Sequence, residues 1–205
     1  VEWAPWIGLL AVVGIIYGAL GCLAQTDMKR LIAFSSVAHM GFVMLAIATL
    51  TDFGINAAIM GMVAHGLITG MLFFLAGSIK ERYHTLEISR LGGLLVQAPR
   101  MGWIFGICAM ASLGLPGLAG FWGEFPAILS AYSPANGLPV ETFRTFMVIA
   151  ALGTVLAAGY LLWLGLVPTG PRAISITERL LTRPLGNPGR RVVALVVDDG
   201  LEAPA

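Results

Sequence analysis

The chain holds 205 residues, of which 58% are hydrophobic and only 11% charged, with a formal net charge of +1. Globular domains carry about 25% charged residues, so a chain with a mean hydropathy of +0.87 is too apolar for water and belongs in lipid. Its basic residues are too few and too scattered to track phosphates, which excludes a nucleic-acid binder.

A bilayer asks for about 20 apolar residues per helix. Five segments meet that length, at about residues 3–23, 31–50, 53–79, 101–132 and 143–167, and predict an all-α membrane protein. The first is too long for a signal peptide and lacks a basic leader and a cleavage site. The chain starts at Val1 without a methionine, so a piece of a longer protein is expected. Cys22 and Cys108 lie inside apolar runs and read as small core hydrophobes. No charge interrupts a span except Glu124 in the fourth and Arg144 near the start of the fifth.

The loops set the orientation. Lys29 and Arg30 fall between the first two spans, and Lys80, Arg82, Arg90 and Arg100 between the third and fourth. The preference of Lys and Arg for the cytoplasmic side puts both loops inside, with the first span starting outside. After the fifth span, residues 168–205 turn rich in Pro, Gly and Arg. Their one apolar run, VVALVV, is too short to span, which predicts a loosely ordered cytoplasmic tail. The sequence shows no Walker motif, HExxH, CxxC pair or GxSxG.

Ionisable groups inside spans are costly and mostly functional. Three stand out: His39, His65 and Glu124. By helical rise, His39 sits about 15 Å in from the Lys29 end of its span and His65 about 18 Å in from the Phe53 end. Both fall near the midplane of a core about 30 Å thick. The fourth segment would measure about 48 Å as one straight helix, too long without steep tilt. Its stretch LGLPGLAGFWGEF instead predicts two half-helices joined by an unwound link that includes Pro116 and Gly117. Glu124 is then expected in the first turn of the second half, level with the two histidines. Burial opposes the charge of such a carboxylate and a helix N-terminus favours it, so the group is poised to change protonation.

Two readings stand for each residue. The histidines can serve helix packing alone, and Glu124 can belong to a structural ion pair. Functionally, the three form a proton relay. Ser35, Ser36 and Thr69, within a turn of a histidine, carry a water chain or simply bond their own backbone carbonyls. Lys29 is an ordinary inside-loop charge, or a proton-entry point or anchor at the foot of the second helix. A bound metal is disfavoured because no local His or Cys pair fixes a site.

Taken together, QTDMKRLIAFSSVAHMGFV, MVAHGLITGMLFFLAGSIKERYHT and LGLPGLAGFWGEF resemble the antiporter-like membrane subunits of respiratory complex I, over about residues 3–165. The KERYHT segment points to the chain M (subunit 4) type. The resemblance implies a fold of fourteen helices in two inverted repeats, of which the present spans match helices nine to thirteen, most of the second repeat. The family's discontinuous helix twelve falls on the fourth segment and its functional glutamate on Glu124. The central histidines fall on His39 and His65, and the basic residue opening helix ten on Lys29. The family's upstream membrane glutamate and lysines lie before Val1, and the tail does not resemble the family's fourteenth helix.

The implied function is proton translocation coupled to quinone reduction by NADH:quinone oxidoreductase, in a multi-pass protein of a bacterial plasma membrane. NADH, flavin, iron–sulfur clusters and quinone are then expected on partner subunits, with no cofactor on this chain and other membrane subunits of the complex, lipid and protons as its partners. Two other readings compete: a subunit of a multi-subunit sodium/proton antiporter, which shares the fold, and an inactive scaffold remnant.

Overall fold

The computed structural model describes residues 1–169, with side chains to residue 166. The expected tail falls almost wholly outside the described residues.

Helix α1 (Ala4–Leu23) opens with a proline in its first turn, where the missing N–H costs nothing. Its buried face is made of small residues, Gly8, Ala11, Gly18 and Ala19, around Ile15, while Trp6, Leu10, Val13, Tyr17 and Leu20 point outward. That inverts the pattern of a water-soluble helix. Lipid gives no hydrophobic force between helices, so small residues face inward and let backbones approach. A Cβ on Gly18 would stand 2.6 Å from the Ala38 backbone nitrogen of the next helix.

Helix α2 (Met28–Ala48) starts three residues before the expected span, because Asp27 caps it by accepting a hydrogen bond from the Arg30 N–H at 3.0 Å. Lys29 and Arg30 therefore lie in the first turn of the helix rather than in the loop. Helix α3 (Asp52–Tyr83) is capped by Thr51, whose hydroxyl accepts from the Gly54 N–H at 3.0 Å. It runs one turn past the expected end at residue 79. Lys80 and Arg82 in its last turn suit the negative end of the helix dipole, and His84 closes it in the left-handed conformation.

A connection with a short 3-10 turn (Ile88–Arg90) and a one-turn helix α4 (Leu94–Gln97) follows. It is tied to the start of α2 by Met28 N–H to Leu86 O at 2.9 Å and Ile88 N–H to Thr26 O at 3.0 Å. Helices α5 (Pro99–Ser112) and α6 (Ala119–Ser130) are separated by the link 113–118, and α7 (Val140–Thr169) closes the bundle.

Four helices, α1, α2, α3 and α7, are individually long and apolar enough to cross a bilayer. Helices α5 and α6, about 21 and 18 Å long, reach across only as a pair. The architecture is thus the expected all-α membrane bundle of five crossings with the fourth discontinuous. Helix α1 packs on α2 and α7, α2 on α3 and α6, α3 on α5 and α6, and α5 on α7.

Candidate functional site: a buried His–Glu pair at the helix break

The break in the fourth crossing comes from two glycines in left-handed conformations, Gly114 at φ 74° and Gly117 at φ 95°. Pro116 stands between them in an exposed turn. Helix α6 resumes at Ala119, so Glu124 lies in its second turn. The expected first-turn position is corrected: the helix winds up again as soon as Gly117 has reversed the chain. Pro126 then interrupts the ladder two residues beyond Glu124 and frees the Trp122 carbonyl from its usual partner.

Helix α6 comes close to α3 at a pair of glycines. A Cβ on Gly123 would meet the Gly61 Cα at 2.5 Å. Gly123 precedes Glu124, and Gly61 lies one turn before His65. This contact brings the carboxylate of one helix beside the imidazole-bearing face of the other.

The three titratable groups expected at one level are brought together. His39 Nδ1 and Glu124 Oε1 are 2.6 Å apart, with His39 6% and Glu124 8% exposed. The second carboxylate oxygen faces the link: a Cβ on Gly114 would sit 2.8 Å from Oε2. The His65 ring lies 5.4 Å from that of His39, centroid to centroid, at 44°. A cavity of about 30 Å³, room for about one water, lies among His39, His65, Ser112, Gly120, Gly123 and Glu124.

One partner was not foreseen. Ser112, the last residue of α5, has its hydroxyl 3.2 Å from His39 Nε2. A serine in an apolar helix carries no signal of its own, and its meeting with His39 depends on how α5 ends. The other expected supports divide. The Thr69 hydroxyl lies 3.2 Å from His65 Nδ1 on the same helix. Ser35 and Ser36 both donate to the Ile32 carbonyl, at 2.8 and 3.2 Å, so they follow the backbone-bonded alternative. Lys29 is about 15 Å along α2 from His39 and its side chain forms no hydrogen bond or ion pair among the described residues, so it is not part of the cluster. Pro116 and Gly117 shape the link, but it is Gly114 that meets Glu124. Among the described residues, no group of three His, Cys, Asp or Glu side chains is arranged to hold a metal.

The geometry has a definite protonic logic. With one proton on the pair, Glu124 is a carboxylate, Nδ1–H donates to it and Nε2 accepts from the Ser112 hydroxyl. With a second proton on the imidazole, or on the Oε1 that faces it, Nε2 carries hydrogen and donates to Ser112. The Ser112 hydroxyl therefore reverses direction when Nε2 gains or loses its hydrogen. Charging His39 and His65 together would cost about 3 kcal/mol at an effective dielectric of 20, unless the Glu124 carboxylate offsets it.

Comparison with known proteins agrees with this architecture. Residues 1–161 match the family described as NADH:quinone oxidoreductase/Mrp antiporter, TM. The chain is 47% identical over 163 residues to NAD(P)H-quinone oxidoreductase chain 4 2 of Trichodesmium erythraeum, an alignment covering 79% of this chain and 29% of that protein. Among solved structures it resembles a chain of respiratory complex I from Thermus thermophilus, with a TM-score of 0.74, 34% identity and coverage of 82% and 34% of the two chains. It shares its fold with the Mrp complex of a Dietzia species, with a TM-score of 0.71, 23% identity and coverage of 82% and 30%. The chain spans about a third of the length of the curated relatives it matches.

Proposed function

Since the chain belongs to the NADH:quinone oxidoreductase/Mrp antiporter transmembrane family, we propose that it forms part of a proton-translocating membrane subunit of NADH:quinone oxidoreductase, of the chain 4 or subunit M type. The observation that carries this reading is the short, buried contact between His39 Nδ1 and Glu124 Oε1 beside a helix break. A carboxylate and an imidazole at membrane depth are costly to keep unless they work, and proton relay is the usual work of such groups.

Each residue has a role in this reading. Glu124 and His39 share and release the transported proton. His65 takes it up from His39 across the small cavity, with Thr69 orienting the ring. The link 113–118 leaves backbone groups open to water beside the pair, which is tolerated at membrane depth only where protein or a cavity surrounds them. Lys29 serves as an anchor or entry point at one end of α2. Redox chemistry belongs to partner subunits carrying NADH, flavin, iron–sulfur clusters and quinone, and this chain contributes only to proton movement. Its setting is a bacterial plasma membrane, among the other membrane subunits of the complex.

The test is Glu124→Gln in the full-length protein, with the complex assembled and reconstituted in vesicles. Fewer protons translocated per quinone reduced is the expected result. An unchanged ratio in a fully assembled complex would refute the reading. The fold shared with the Mrp complex supports the second reading, a sodium/proton antiporter subunit. Sodium-dependent pH changes without NADH:quinone activity would decide for it.

A further inference from the structure

The link between α5 and α6 is uncovered at membrane depth. Ser112, the residue before it, reaches His39 at 3.2 Å, so the link begins level with the His39–Glu124 pair. Leu115, Pro116 and Gly117 are exposed, and so is Ala119, where α6 resumes. The Leu118 N–H turns to the Leu115 carbonyl at 3.0 Å, but the N–H groups of Leu115 and Gly117 meet no acceptor among the described residues. Lipid tails offer neither donors nor acceptors, and irregular backbone does not face lipid within the hydrocarbon core. Something other than lipid covers this side of the link.

A second feature of α6 points the same way. A groove of about 430 Å³ lies between α6 and the first turns of α3, lined by Phe53, Asn56, Ala57, Met60, Trp122 and Pro126. Asn56 is exposed there, and its side-chain amide forms no hydrogen bond among the described residues. It lies about 8 Å outward of Gly61, the residue packed against Gly123, which keeps it within a half-core of about 15 Å. On the opposite wall Pro126 leaves the Trp122 carbonyl without its helical donor. An acyl chain would fill the volume and leave the amide unpaired. A crossing helix fills it with side chains and can hydrogen-bond the amide as well, as polar residues do between membrane helices.

We propose that the α6 face from Leu115 to Pro126, with the groove beside it, is a docking surface for a further transmembrane helix of the same polypeptide, one that presents a hydrogen-bonding side chain to Asn56 and covers the link. The aligned stretch makes up only 29% of one relative and 36% of another, so proteins of this family have length for such a helix. Timing favours the same chain as its source. The link stands at membrane depth as soon as the protein is inserted, before a partner subunit can join it, and its open backbone groups are intolerable to lipid from that moment. The proposal needs only the membrane setting and stands whether or not the His39–Glu124 pair moves protons.

The test uses the full-length protein in its native membrane. The photoreactive residue p-benzoylphenylalanine replaces Ala119 in one variant and Trp122 in another, with the outward-facing Val13 of α1 as the lipid-facing control. After irradiation, mass spectrometry maps what each position has captured. Crosslinks from 119 and 122 to a segment of the same polypeptide outside residues 1–169 are the expected result. Capture of lipid alone, or of another subunit alone, overturns the proposal. Asn56→Leu supplies a second measurement whose sign separates the readings. Opposite lipid, leucine is the better residue and the melting temperature of the full-length protein holds or rises. Opposite a hydrogen-bonding helix the variant loses a contact, and the melting temperature falls by a few degrees. A value that holds or rises overturns the proposal, even if the photoreactive variants fail to fold or to crosslink.

Discussion

At the residue scale the centre of the molecule is an imidazole held from both sides. Glu124 takes Nδ1 and Ser112 takes Nε2, so His39 cannot gain a proton without reorienting the serine hydroxyl. A hydrogen bond to a charged group contributes about 1.5–3 kcal/mol. Ser112→Ala should therefore leave assembly intact and slow translocation by about tenfold or more. Ser112→Thr, which keeps the hydroxyl, should restore most of the rate. Equal rates for Ala and Thr would show that the hydroxyl takes no part. The same scale shows what was legible beforehand. His39, His65 and Glu124 announce themselves because ionisable residues are rare in apolar spans, and helical rise alone placed both histidines near mid-depth. Ser112 was not legible, since nothing separates it from Ser35 and Ser36, which bond their own backbone.

At the scale of elements, the fourth crossing works because glycines stand where side chains would collide. Gly114 combines φ 74° with a carboxylate oxygen 2.8 Å from where its Cβ would be. Gly114→Ala forces a left-handed alanine, at a cost of about 1–2 kcal/mol, and pushes Glu124 off His39. A clear loss of translocation with only mild loss of thermal stability is the expected outcome, read by vesicle assay and melting curve. Gly123→Val should be harsher, because the obstacle is the Gly61 backbone. It should separate α6 from α3 and destabilise the bundle by about 1–3 kcal/mol, seen as a lower melting temperature. The break itself was readable from its Gly and Pro content. That Gly114 rather than Pro116 or Gly117 meets Glu124 was not, because it depends on how far the chain turns before α6 resumes. The helix ends at Met28 and Tyr83 likewise moved outward from the apolar limits, since the Asp27 cap and the Lys80–Arg82 end extend a helix without adding hydrophobicity.

At the scale of the whole molecule, a bundle of five crossings keeps its polar centre among α2, α3, α5 and α6 and shows a broad apolar face outward. Val13 on the exposed side of α1 is part of that face. Val13→Asp should raise the cost of inserting this helix by about 2.5–3.5 kcal/mol and lower membrane incorporation of the full-length protein, measured by carbonate extraction. Retention equal to the parent would mean that this face meets water or a polar partner. The overall class followed from composition and span length alone. The meeting of His39 with Glu124, 85 residues apart in the chain, needed the packing of α6 against α2 and α3, which apolar patterning does not encode.

The central claim is that Glu124, paired with His39, changes protonation as the protein works. The most direct measurement is an infrared difference spectrum of the full-length protein in its complex, between resting and NADH-driven states, followed in the carboxyl C=O stretching region. A protonated-carboxyl band that shifts on isotope exchange and disappears in Glu124→Gln is the predicted result. Superimposable difference spectra of the parent and Glu124→Gln, from complexes that assemble and turn over alike, would contradict it.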